Sequence, residues 1–133
     1  MKKETVFARK DKNEYSDNIK KLRYWAKENL LNKVVYHPQF PDGIHFTNNG
    51  IKEFLNQPHM YFNEKNALIK SIDIIIPKAK VVGEAEDKNG NPNHHFYYLE
   101  TNIREKESYI IIRLTRHNSQ FTLYSIVDKI RNR

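Results

Sequence analysis

Three runs decide the fold: His94-His95-Phe96-Tyr97-Tyr98-Leu99-Glu100-Thr101-Asn102-Ile103, Ser108-Tyr109-Ile110-Ile111-Ile112-Arg113-Leu114-Thr115-Arg116, and Phe121-Thr122-Leu123-Tyr124-Ser125-Ile126-Val127. β-branched and aromatic residues dominate them, and turn-forming residues separate them. Connections this short make consecutive strands antiparallel neighbours. Upstream, Ala79 to Ala85 reads as one more strand, joined through the polar loop Asp87-Lys88-Asn89-Gly90-Asn91-Pro92.

The last two strands carry a register argument. If Asn118-Ser119 is a two-residue turn, Leu114 faces Leu123 and Ile110 faces Val127, which gives a continuous apolar face. Arg113 then faces Tyr124 on the other side. A three-residue turn puts Ser125 opposite Arg113 instead, and the apolar match favours the first register. An arginine within Ile110-Ile111-Ile112-Arg113-Leu114 stands out, because strands of buried appearance rarely carry an unpaired charge. It faces solvent, pairs with Glu100, or serves a site.

Working toward the N-terminus, Leu68, Ile69, Ile72, Ile75 and Ile76 form an apolar stripe that predicts a helix from about Asn63 to Ile75, stopped by Pro77. Thr47-Asn48-Asn49 offers caps for a shorter helix from Gly50 to Gln57, ended by Pro58. Lys33-Val34-Val35-Tyr36 is extended before His37-Pro38, and Ile44-His45-Phe46 is a short strand after the turn Pro41-Asp42-Gly43. Ile19, Leu22, Ala26 and Leu30 mark a first helix beginning near Tyr15. Residues 1–14 read as a flexible basic arm, and residues 15–133 as a single domain. The expected fold is α+β, with N-terminal helices packed on one face of a four-stranded antiparallel sheet.

The 133 residues suit one domain, and the 23 Lys+Arg against 16 Asp+Glu give a net charge of +7. That charge is uneven: net +5 over residues 1–33, −1 over 34–99 and +3 over 100–133. Basic flanks of this kind suit a polyanion partner, although solubility alone also accounts for them. With no cysteine, thiol nucleophiles, zinc–thiolate sites and iron–sulfur clusters are excluded. No apolar run approaches the roughly 20 residues a bilayer span requires, so no membrane role is expected and the protein reads as cytoplasmic. The four glycines make neither a dinucleotide fingerprint nor a phosphate-binding loop, and no metal-ligand spacing occurs. Neither cofactor nor metal is expected.

Six histidines remain, with basic and hydroxyl side chains on a sheet. These residue types suit RNA cleavage by the 2′-hydroxyl, which needs a base, an acid and a cation at the phosphorane. Histidine transfers protons near neutral pH, and arginine clamps phosphate. His59, held beside Pro58, and His95, which shares a strand face with Tyr97 and Leu99, are the candidate acid and base. Each reads equally as a capping or surface histidine. His94 alternates to the opposite face, so the adjacent pair is a poor metal chelate.

Further blocks carry a resemblance. Trp25-Ala26-Lys27-Glu28-Asn29-Leu30, Ile44-His45-Phe46-Thr47, Gly50 to His59 with its Asn56-Gln57-Pro58-His59 ending, and Glu64-Lys65-Asn66 resemble a domain of phage and mobile-element polyvalent proteins, as do the later strand blocks. Such domains are grouped with the barnase/EndoU/colicin/RelE-like nucleases. The resemblance implies a metal-independent endoribonuclease, with catalytic roles for His59, His95, Arg113, and Tyr124 or Ser125, and substrate binding by Lys65. It also implies a toxin or effector acting on RNA such as tRNA, with an immunity or antitoxin protein as partner. The alternative is a non-catalytic nucleic-acid- or protein-binding module of a mobile element.

Overall fold

The structure, a computed structural model, describes residues 17–130. The expected basic arm and the start of the first helix lie outside these residues. Helix α1 covers residues 17–29 and buries Leu22 and Ala26, which with the turn residue Leu30 form the buried stripe that helical spacing predicts. A hairpin follows, β1 (Val34–His37) and β2 (Phe40–His45). Helix α2 (Asn48–Asn56) starts at Thr47, whose hydroxyl accepts the Gly50 N–H.

The helix expected over residues 63–75 is instead a series of short turns: α3 (Phe62–Ala67), a 3₁₀ turn (Leu68–Ser71), α4 (Ile72–Ile75) and a second 3₁₀ turn (Ile76–Lys78). The tighter turn brings residues three apart into line, so Ile69 and Ile72 are both fully buried, as is Ile76. Strands β3 (Val81–Glu86), β4 (His94–Ile103), β5 (Lys106–Thr115) and β6 (Gln120–Val127) complete the described chain.

These last four strands form the expected antiparallel set, but the sheet has six strands and is mixed. Its order is β1-β2-β6-β5-β4-β3, and β2 runs parallel to β6 through Ile44↔Phe121 and His45↔Thr122. The four-stranded expectation therefore undercounts. Nothing in a short extended segment reveals that it will dock onto a strand some eighty residues away. Beyond that junction α2 lies along β6 so closely that a Cβ on Gly50 would clash with the Leu123 carbonyl oxygen.

The register expected for β5 and β6 is also corrected. The connection spans four residues, a 3₁₀ turn (Arg116–Asn118) and the left-handed Ser119 (φ 53°), so Thr115 faces Gln120. Arg113 thus faces Thr122, not Tyr124 or Ser125. A β-bulge between the pairs Ile112↔Leu123 and Ile111↔Ser125 leaves Tyr124 as the extra residue. Helices cover the face bearing Leu99, Ile103, Ile110, Ile112, Leu123 and Ile126, all part of one core with Leu22, Ala26, Phe54, Ile69 and Ile72. Among the described residues, no helix packs on the opposite face.

Candidate functional site: the open face of the sheet

The two candidate histidines are held by the protein itself. His59 Nδ1 accepts the Tyr61 N–H at 2.8 Å, so the ring proton sits on Nε2, which donates to Ser108 Oγ at 2.8 Å. Ser108 passes its own proton to the Lys106 carbonyl at 3.1 Å. Burial lowers the His59 pKa below its usual value, against an opposing pull from Asp128. His59 is therefore a neutral clamp fastening the loop after α2 to β5, with neither nitrogen free.

His95 lies on the helix-covered face and is 8% exposed. Its Nε2 is 2.8 Å from Glu84 Oε1, and its ring meets Tyr97 edge-on at 5.0 Å. Its Nδ1 comes within 2.8 Å of Glu86 Oε2 but out of line for a hydrogen bond. Glu86 also takes both guanidinium nitrogens of Arg116, and that hydrogen bonding chiefly holds its carboxyl below the usual range.

The structure does not bring these histidines together. Ser108, which holds His59, pairs with Thr101, whereas His95 pairs with Leu114. Six residues along a strand separate the two places by about 20 Å, beyond the reach of one phosphodiester. Arg113, Tyr124 and Ser125 sit on the opposite face from both histidines.

Lys65, the lysine that the resemblance assigns to substrate binding, lies in the interior. It is fully buried, and its amine donates to the carbonyls of Phe54 (2.7 Å) and Leu55 (3.3 Å) in the last turn of α2. Phe54 and Phe62 flank it with their ring faces. Burial lowers its pKa from 10.5 to about 7. It supplies the helix end with donors and touches no surface.

What does converge is on the open face. One cross-strand row reads Phe96–Arg113–Thr122 and the next Tyr98–Ile111–Ser125. The bulge sets Tyr124 among them, 5.2 Å from the Phe96 ring, with the Arg113 guanidinium stacked 5.2 Å from its centre. Arg113 makes no ion pair among the described residues, neither with Glu100 nor with any other carboxylate, and its Nε is buried without a hydrogen-bond partner. Ser125 Oγ, also buried, has no hydrogen-bond partner among the described residues. A cleft of about 290 Å³ opens here, its floor formed by Phe96, Tyr98, Ile111 and Tyr124 and its rim by Lys88, Lys129 and Gln57.

His94 belongs to this face as well. Its Nδ1 is 3.7 Å from Asp87 Oδ2, and its ring meets Phe96 edge-on. Strand parity already placed it opposite His95, and extending that parity across the Phe96↔Arg113 pair would have linked it to the arginine. Among the described residues no cluster of three His, Asp or Glu side chains is arranged to hold a metal, and no helix is long and apolar enough to cross a membrane.

The profile of the large polyvalent protein-associated domain 3 family matches residues 13–124. The chain belongs to that family. Neither a curated protein nor a solved structure matches it. The match ends inside β6 at Tyr124, so it takes in the bulged tyrosine and the Arg113 it carries. In this polyvalent-protein domain the aromatic floor of the cleft is built from the central strands, while the lysine rim comes from a loop and the segment after β6.

Proposed function

We propose that this polyvalent-protein domain is a non-catalytic nucleic-acid-binding module that uses the open face of its sheet. A cleaving site of the barnase/EndoU/colicin/RelE-like kind would need an acid, a base and a cation around one phosphate. Here the two histidines named for those roles are about 20 Å apart, counted along the strands, and the arginine is on the other face. The observation that carries the binding reading is the guanidinium of Arg113, free of carboxylates among the described residues and stacked on Tyr124 beside Phe96. Aromatic rings and unpaired cations on an open sheet are the groups that bind bases and phosphates. Lys88 and Lys129 add two more cations that form no ion pair among the described residues.

Fluorescence anisotropy with labelled RNA and DNA across a salt series tests this. Three cations at phosphates give a log–log salt slope near −2, so binding should weaken roughly 20-fold between about 50 and about 200 mM salt. The RNA should stay intact in EDTA. Absence of binding at low salt refutes the module. RNA cleaved in EDTA by wild type but not by a His59→Ala/His95→Ala variant would instead restore the catalytic reading.

A further inference from the structure

Resting on that binding reading, we infer that the cleft holds one unpaired nucleobase, so that the domain selects single-stranded over duplex nucleic acid. The floor is aromatic and set back, with Tyr98 only 7% exposed, under a rim contributed by the β3–β4 loop, the segment after β6 and Gln57. A base stacked inside a duplex has no ring face to offer such a recess, whereas a base in a single strand can turn into it.

The rings are arranged for one guest. Phe96 and Tyr124 are tilted 57° to each other, so a planar base stacks on one ring and meets the edge of the other. The bulge makes this possible, because an unbulged strand would alternate Tyr124 and Ser125 to opposite faces. Arg113, already stacked on Tyr124, holds that ring and adds positive charge beside it.

Charge at the mouth points the same way. The acidic group of the β3–β4 loop, Asp87, is engaged: one oxygen accepts the Asn89 N–H at 3.0 Å and the other lies 3.7 Å from His94. Lys88 and Lys129 remain without carboxylate partners among the described residues, placed to meet the phosphates on either side of the base. Gln57 adds an amide that can both donate to and accept from a base edge.

The test compares short single strands of RNA and DNA with their own duplexes and with polyglutamate at matched salt. Single strands should bind at least about tenfold more tightly than duplexes, and Tyr124→Leu should weaken them by roughly 5- to 150-fold, the range of one lost stacking contact. Equal or tighter duplex binding, equal binding of polyglutamate, or an unaltered single-strand affinity in folded Tyr124→Leu overturns the base pocket and leaves nucleic-acid binding standing. Binding of no oligonucleotide at low salt overturns both. A readout without any variant is 2-aminopurine within the strand, whose fluorescence should be quenched on binding by stacking; unchanged emission from a bound strand counts against the pocket.

Discussion

Stability of this domain should rise as the pH is raised from about 7.5 to about 9.5, and Lys65 is the reason. Its folded-state pKa is about 7, against 10.5 for the free side chain. Above the upper value neither state carries the proton. As the pH falls through the window the unfolded chain takes it up and the folded chain does not, so stability is lost until the lower value is reached. The full difference corresponds to on the order of 5 kcal/mol at 1.36 kcal/mol per pH unit, of which about half falls between pH 7.5 and 9.5. Urea unfolding at several pH values in that range measures it. Lys65→Met keeps the length and flattens the curve, although it leaves the Phe54 and Leu55 carbonyls without a donor and so lowers stability overall. A wild-type curve that is flat or falling, or an equal rise in Lys65→Met, would refute the reasoning.

Other outcomes follow from single contacts. Gly50→Ala forces a methyl against the Leu123 carbonyl and should destabilise by about 3 kcal/mol or more, seen as a lowered melting temperature. His59→Ala frees the Tyr61 N–H and Ser108 Oγ and should cost about 1–3 kcal/mol. Because the folded-state pKa of His59 lies below 6.5, the wild type should also lose stability as the pH drops below that value, and the variant should lose less. The β4–β5 turn holds Arg104 (φ 50°) and Glu105 (φ 67°) in left-handed conformations, so Glu105→Gly should stabilise by about 1 kcal/mol in chemical denaturation.

Local pattern carried much of the architecture. The β-branched runs placed β4 with the bounds His94–Ile103 and β5 and β6 to within a residue or two, and Thr47 and Pro58 bracketed α2. Strand parity likewise put His94 and His95 on opposite faces. Each of these rests on propensity or on side-chain alternation, which are properties of a single segment.

Only the folded chain decided the rest. The parallel docking of β2 on β6, the four-residue turn and the bulge at Tyr124 depend on how distant segments pack, and a single slip in register moves every partner. The same holds for charge and for protons. From sequence Lys65 is a candidate substrate-binding residue and His59 a candidate acid or base; only the structure shows the Lys65 amine buried under the end of α2 and both His59 nitrogens held by Tyr61 and Ser108. Residue type states what a side chain can do; burial and partners, set by contacts across the whole chain, state what it is free to do.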